Sequence, residues 1–150
     1  MKTFGILLIG WLAVLGTAEA RLGENKEELE NRFGKAVNRE GIQDGDCRLF
    51  IFKVEQYEIG CFLRGGKTIT IVYRKGGEKM TDNEIYTLLK KNSSGSGFEM
   101  VNKTGLPVVF HEQSTKRNAS YDGNLHALYI YETGELERFL GKQKTALEAF

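Results

Sequence analysis

The chain has 150 residues, of which 21 are basic and 20 acidic, so its formal net charge at pH 7 is +1. This balance, without a polybasic tract, excludes the strong positive field that nucleic acids and anionic membranes select. The length suits one domain, which can bury roughly two thirds of its unfolded surface.

Residues 1–20 have the pattern of a secretory signal peptide. Lys2 supplies a positive start, residues 6–15 an apolar core, and Ala18-Glu19-Ala20 an A-x-A cleavage site. The alternative is a membrane anchor, but the apolar core is short for about 30 Å of hydrocarbon. We expect cleavage after Ala20, a secreted or periplasmic protein without a transmembrane segment after cleavage, and a single domain of residues 21–150.

The first helix signal follows the cleavage site. Asn25 and Glu28 have the spacing of an N-cap and its N3 partner. Leu29 and Phe33 lie one turn apart on the same face. Gly34 can end the helix, so the sequence predicts a short amphipathic helix.

Three segments rich in β-branched and aromatic residues then predict an antiparallel meander. They are Cys47–Val54, Tyr57–Arg64 and 67–74. The first segment is apolar on both faces, which favours a central position in the sheet.

The alternation of apolar residues sets the expected register, because a one-residue slip would turn the apolar face to water. A two-residue turn at Glu55-Gln56 places Phe52 beside Ile59 and Phe50 beside Cys61. A three-residue loop, Arg64-Gly65-Gly66, joins the next two strands. Its predicted pairs are Tyr57 with Tyr73, Ile59 with Ile71, and Cys61 with Ile69.

The two cysteines are expected to remain unbridged. An exported protein with an even cysteine count usually pairs them. However, Cys61 lies opposite Phe50, and Cys47, three residues from Phe50, projects to the other face. A disulfide needs Cβ atoms about 3.5–4.5 Å apart, and the sheet would keep them farther apart. The alternative is an odd loop at 54–57, which would bring both cysteines to one face.

The clearest helix signal is the capping box from Thr81 to Glu84. Met80 and Ile85 occupy the positions of a hydrophobic staple. Ile85, Leu88 and Leu89 form one apolar face, which we expect to pack on the Phe50, Phe52, Ile59 and Ile71 side of the meander. The helix is predicted to stop at Asn92.

The C-terminal part predicts further antiparallel strands. Candidates are 98–101, Val108–Glu112 after Pro107, an exposed or edge strand at 114–121, and 125–131. Asp122-Gly123 has the signature of a type I′ turn. Thr133 is a candidate cap for a last helix to Phe139, with a continuation to Phe150. The predicted fold class is α+β, an antiparallel sheet in two meander-like halves with short helices on one face.

Two stretches carry a resemblance. Residues 21–35, with a Gly-Glu helix start and a Phe-Gly helix end, and 81–92, with Glu-Ile-x-x-Leu-Leu-x-x-Asn, resemble a group of small exported bacterial proteins of unknown function. Ala36 replaces a proline of that pattern, and Phe98 replaces a tryptophan. Helix-then-meander units also resemble those of β-lactamase-inhibitor-protein and small outer-membrane-assembly lipoprotein folds, an analogy that implies architecture alone.

The sequence predicts no catalytic, cofactor-binding or metal site. His111 and His126 lack metal-site spacing. Cys61 lies on an apolar strand face, where a thiol packs rather than reacts. Cys47 with a distant histidine is the remaining arrangement for a cysteine hydrolase.

Two softer signals concern the surface. Tyr121, Tyr129 and Tyr131 lie on predicted neighbouring strands and suit either an interface or the edge of the core. Sequons at Asn92, Asn102 and Asn118 leave glycosylation open.

We expect a non-catalytic binding or structural module of the cell envelope that contacts another envelope protein through a sheet face or edge. The alternatives are a small secreted enzyme inhibitor and a small hydrolase. A pocket with convergent carboxylates or a Cys–His contact would favour the hydrolase, whereas a flat aromatic face without a pocket would favour the binding module.

Overall fold

The computed structural model describes residues 21–37, 43–44, 47–102 and 107–135. These residues form one antiparallel sheet with two short helices, which confirms the predicted α+β architecture. The predicted signal peptide and the last predicted helix beyond residue 135 lie outside them. In chain order the elements are α1 (Lys26–Phe33), β1 (Gln43–Asp44), β2 (Cys47–Val54), β3 (Tyr57–Arg64), β4 (Lys67–Lys75), α2 (Asp82–Asn92), β5 (Glu99–Met100), β6 (Val108–Glu112), β7 (Arg117–Asp122) and β8 (Ala127–Glu132).

The sheet consists of two halves that meet at its centre. The strand order is β1-β2-β3-β4-β8-β7-β6-β5, and all neighbours are antiparallel. Each half is a helix followed by four strands in meander order. The last strand of the first half, β4, pairs with the last strand of the second half, β8.

Both helices begin as predicted. In α1 the Asn25 side chain accepts a hydrogen bond from the Glu28 N–H (3.0 Å), and the Glu28 carboxylate accepts one from the Asn25 N–H (2.8 Å). Thr81 and Glu84 form the same reciprocal pair in α2. Gly34 ends α1 with a φ of 84°, a conformation that glycine adopts at low cost.

The sheet has a helix face and a second face. The helix face is the side covered by α1 and α2, whose buried residues Leu29, Ile85, Leu88 and Leu89 pack there as predicted. Its buried strand residues are Phe52, Ile59, Cys61, Leu63, Ile71, Tyr73, Phe110, Ala119, Tyr121, Leu128 and Ile130. The second face carries a separate buried cluster, Cys47, Leu49, Phe62, Val72, Ala127, Tyr129 and Tyr131.

Two tyrosine hydroxyls hold α2 at its ends. The backbone N–H of Met80, just before the helix, donates to the Tyr121 hydroxyl of β7 at 3.0 Å. Asn92, the last helical residue, donates from Nδ2 to the Tyr73 hydroxyl of β4 at 3.2 Å. Since β4 and β7 belong to different halves, α2 is fastened to both.

The first hairpin of the meander has the predicted register. Phe52 pairs with Ile59 and Phe50 with Cys61, and the two-residue turn contains Glu55 at a φ of 53°. This pairing puts Cys47 on the second face and Cys61 on the helix face. Neither cysteine forms a disulfide, and both are buried, as predicted.

The predicted second hairpin is wrong by two residues. The loop contains two residues, Gly65 and Gly66, both at positive φ, and not three. A β-bulge beside Phe62 then adds one residue to β4. Loop and bulge together restore the predicted parity beyond the bulge, so Ile71 and Tyr73 lie on the predicted face, whereas Ile69 packs against the cluster on the second face. The partners change, however, and Cys61 lies beside Ile71 instead of Ile69.

The predicted central position of β2 is also wrong. The strand lies second from the edge, and β4 and β8 are central. Its two-sided apolar pattern has another cause. Phe52 is buried on the helix face and Leu49 on the second face, so both sides of the sheet are covered even near its edge.

The second half differs from prediction at β7. This strand was expected to be exposed or at an edge, but it pairs with β6 and β8, and Ala119, Ser120 and Tyr121 are buried. The turn after it is not a two-residue type I′ turn, because Asp122 pairs with Ala127 and leaves four residues between them. The Asp122 carboxylate accepts from the N–H groups of Asn124 and Leu125 and so shapes this longer loop.

No helix within the described ranges is long and apolar enough to cross a membrane.

Replacement of Leu88 by alanine tests the packing of α2 on the helix face. Leu88 is buried, so Leu88→Ala should lower the free energy of unfolding by about 2–5 kcal/mol through lost burial and a residual cavity. Denaturant titration measures the change. The control is Lys90→Ala at an exposed position of the same helix, expected to change stability by less than about 0.5 kcal/mol. Equal, near-zero effects would contradict the assigned face.

Candidate functional site

The structure separates the residues that a cysteine hydrolase would bring together. Cys47 lies on β2, whereas His111 lies on β6, five positions away in the strand order, or roughly 24 Å at about 4.8 Å per strand. Cys61 is fully buried on the helix face, and this burial raises the pKa of its thiol. The geometry therefore offers no activated thiolate at Cys61 and keeps Cys47 away from His111.

Both histidines are engaged in local contacts. Nδ1 of His111 lies 2.6 Å from Oδ1 of Asn118 on the neighbouring strand. Nδ1 of His126 lies 2.6 Å from the carbonyl oxygen of Gly77. Both oxygens are acceptors, so each imidazole donates from Nδ1. Among the residues that the structure describes, no three His, Cys, Asp or Glu side chains are grouped as metal ligands.

The three tyrosines do not form an exposed cluster. Tyr121 faces α2 and accepts the hydrogen bond from Met80. Tyr129 and Tyr131 lie on the second face, and all three are buried. They are core residues of two different faces. Of the two interpretations that the sequence allowed, an interface or the edge of the core, the second is the one that fits their burial.

Two carboxylates have lowered pKa values, and structural donors account for both. The Lys75 ammonium, 2.8 Å from Glu84, and the N–H of Thr81 hold the pKa of Glu84 at about 2. Burial would raise the pKa of Glu112, but hydrogen bonds from Ser93, Thr115 and the loop backbone outweigh it and leave that pKa below its ordinary value.

Glu112 is the centre of a buried polar group that the sequence did not predict. Its carboxylate accepts from the hydroxyls of Ser93 and Thr115 and from the N–H groups of Ser94 and Gly95, each of the latter at 3.2 Å. These donors come from the loop after α2 and from the β6–β7 turn. The carboxylate thus fixes the exit of α2 to the second half of the sheet. The sequence gives no signal for this contact, because the Ser-Ser-Gly segment after α2 and the glutamate on β6 form no recognisable pattern.

In two of the three sequons the side-chain amide of the asparagine donates hydrogen bonds within the protein. Asn92 is buried, and its Nδ2 donates to Tyr73 and to the Leu88 carbonyl oxygen. Nδ2 of Asn118 donates to the Thr133 hydroxyl at 2.6 Å. A glycan on either nitrogen would break these bonds, so the folded chain does not present these two sites.

Within the described part of the chain, an apolar patch is exposed at the β5 end of the sheet. We call Tyr86, Met100 and Phe110 the edge patch. The ring of Tyr86 meets that of Phe110 edge-on, with centroids 6.0 Å apart, and Met100 is the cross-strand partner of Phe110. Tyr86 is 48% exposed and Met100 37% exposed. Phe110 is buried beneath them, so the patch has a rigid base.

The strand beside the edge patch is β5, which is the last strand in the order of the sheet. The Val101 N–H donates to the Val109 carbonyl oxygen at 2.9 Å and so faces β6. Backbone groups alternate along an antiparallel strand, so the N–H and carbonyl of Met100 point away from β6. Outward backbone groups and an exposed aromatic ring therefore lie side by side. The sequence indicated the strand but could not place Tyr86 near it, because the contact of Tyr86 with Phe110, the partner of Met100, arises only in the tertiary fold.

Comparison with protein-family models, curated proteins and solved structures found no significant match. The resemblance to small exported bacterial proteins stays a prediction.

Replacement of Glu112 by glutamine tests the buried carboxylate. Glu112→Gln should lower the free energy of unfolding at pH 7 by about 1–3 kcal/mol, since charge-assisted hydrogen bonds are replaced by weaker ones. A lowered folded-state pKa contributes stability that is complete above the unfolded pKa of about 4.3 and is lost as the pH falls toward the folded value. The deficit of the variant should therefore shrink below about pH 4.3.

Denaturant titrations from pH 7 to pH 3 measure this difference. Glu99→Gln, at an exposed carboxylate on β5, is the control and should show neither the loss at pH 7 nor the change with pH. A pH-independent deficit in Glu112→Gln would show that the charge on this residue does not matter.

Proposed function

We propose that the protein is a non-catalytic binding module that contacts an extended segment of another protein at the β5 edge. The single observation that carries this proposal is the edge patch beside the outward backbone of Met100. Strand addition to a sheet edge combines main-chain hydrogen bonds with pockets for alternate side chains. Tyr86 and Met100 would supply the apolar contact, and the Met100 N–H and carbonyl the first main-chain pair.

The size of the edge supports a specific contact. Long, flat apolar edges promote uncontrolled pairing, and β5 has only two residues, one of which is Glu99. A partner would therefore depend on side-chain contacts with Tyr86 as well as on backbone pairing. Tyrosine is enriched among the residues that dominate interface energies, and here it stands on the buried ring of Phe110.

The alternatives fit the described residues less well. A hydrolase would need a nucleophile and base in contact, and the cysteines and histidines lie apart. The carboxylates of Glu84 and Glu112 are surrounded by structural donors. A small secreted enzyme inhibitor differs from the leading proposal only in that its partner is an enzyme, and the same surface would serve.

Export is part of the proposal. The pattern of residues 1–20 supports a secreted or periplasmic location with cleavage after Ala20. The partner would then be another envelope protein. N-terminal sequencing of protein recovered from the exported fraction of the producing cell should begin at Arg21; a sequence beginning at Met1 would contradict cleavage.

The binding surface is tested by substitution within the edge patch. Tyr86→Ala should weaken capture of the partner by about tenfold or more, because truncation of a central interface aromatic costs upward of about 1.4 kcal/mol. Capture is measured by affinity purification from an envelope extract, with chemical cross-linking and mass spectrometry. Thermal unfolding of the variant shows whether the Phe110 contact is also needed for stability.

Leu125→Ala is the matched control. The exposed fraction of Leu125, 45%, is similar to that of Tyr86, but Leu125 lies in the β7–β8 loop, away from β5. It should leave capture unchanged. Equal losses in the two variants, or turnover on a substrate panel without any captured protein, would reject the edge patch as the binding surface. Capture of an enzyme whose activity falls on addition of the protein would support the inhibitor.

A further inference from the structure

The side chains at the β5 edge alternate between the two faces of the sheet. Met100 is the cross-strand partner of the buried Phe110 and so projects to the helix face, which also carries Tyr86. Glu99 and Val101, its neighbours in sequence, project to the second face because side chains alternate along a strand. Glu99 is exposed, and Val101 is 67% exposed. An added strand would therefore meet an apolar surface on the helix face and one acidic and one apolar side chain on the second face.

The charge of Glu99 is not balanced by a cation in the described part of the chain. Its carboxylate accepts a hydrogen bond from Nε2 of Gln113 at 3.3 Å. Its cross-strand partner is His111, which donates to Asn118. Within the described ranges, no Lys or Arg side chain forms an ion pair with Glu99. The lysines of α2 lie on the other side of the sheet, because that helix packs on the helix face.

The backbone of β5 places Glu99 where the charge of a neighbour matters most. Hydrogen-bonded and non-hydrogen-bonded pairs alternate along an antiparallel ladder. The Val101 N–H is bonded to Val109 of β6, so on the outer side of β5 only Met100 is available for a hydrogen-bonded pair. Glu99 and Val101 would then form non-hydrogen-bonded pairs, in which the side chains of the two strands lie closer together. Opposite charges at such a position stabilise the pairing, and like charges destabilise it.

We propose that the segment bound at the β5 edge is an antiparallel strand with an apolar residue opposite Val101, an aromatic residue opposite Met100, and a lysine or arginine opposite Glu99. In an antiparallel partner these three residues follow one another in that order, from the amino to the carboxyl end. The aromatic residue shares the helix face with Tyr86. The direction follows the rest of the sheet, in which all neighbours are antiparallel, the slightly more stable pairing per residue. This inference rests on the proposed function, because it specifies the partner of the same edge.

Four synthetic peptides test the chemistry of the partner. They have capped ends and identical threonine- and serine-rich flanks, and their cores are Val-Phe-Lys, Val-Phe-Glu, Val-Phe-Gln and the reversed Lys-Phe-Val. NMR titration of the ¹⁵N-labelled 150-residue chain measures each dissociation constant, and slower solvent exchange of the Met100 amide reports strand addition at β5. At low salt the Val-Phe-Lys peptide should bind about fivefold more tightly than the Val-Phe-Glu peptide, with Val-Phe-Gln between them. Added salt should reduce this difference.

Charge reversal at Glu99 assigns the preference to this residue. Glu99→Lys should reverse it, so that the Val-Phe-Glu peptide binds more tightly than the Val-Phe-Lys peptide. Glu78→Lys is the matched control, since it makes the same change in net charge at an exposed position between β4 and α2. This control should still prefer the Val-Phe-Lys peptide. Glu99 is exposed, so thermal unfolding of its variant should match that of the control.

The other outcomes overturn the inference and separate it from the proposed function. Equal binding of the charged peptides, with a protected Met100 amide, would retain the β5 edge as a binding surface and reject a basic partner. An equal change in preference in both variants would assign the effect to net charge and reject Glu99. Tighter binding of the reversed core would reject the antiparallel direction. If no peptide protects the Met100 amide, strand addition at β5 is itself rejected, and Glu99 serves only to keep this edge from pairing.

Discussion

The pairing of β4 with β8 is the interaction on which the rest of the structure depends. Each strand is the last of its half, and their antiparallel register joins two four-stranded meanders into one sheet. Ile71 and Tyr73 of β4 and Leu128 and Ile130 of β8 are fully buried on the helix face. Because this pairing is central, both halves share one helix face and one second face, and the short strands β1 and β5 become the two edges.

The helix α2 packs on the helix face of the sheet and stabilises this junction of the two halves. It connects the halves in the chain, and its ends are hydrogen-bonded to Tyr73 of the first half and Tyr121 of the second. Glu112 then fixes the loop that leaves the helix. The same helix carries Tyr86 to the edge patch, so the proposed binding surface is positioned by the contacts that hold the two halves together.

Local signals in the sequence were enough for the helices and the first hairpin. Caps at Asn25 and Thr81 depend on residues three apart, and a two-residue turn fixes register over a few residues. Features determined by distant parts of the chain were missed. The bulge beside Phe62 changes partners without changing faces, and β7 is internal because β8 returns to β4. The edge patch and the Glu112 contacts likewise join segments that only the tertiary fold brings together.

The junction of the halves also constrains how the chain can fold. Ile71 and Ile130 are direct partners, yet they lie about 60 residues apart in sequence, whereas each meander is built from neighbouring hairpins. Hairpins close short loops at small entropic cost and form within microseconds. The β4–β8 ladder must close the longest loop and gains no support until both of its strands exist. We therefore expect joining of the halves to be the slow step of folding; until it occurs, each meander would present its inner strand as an open sheet edge.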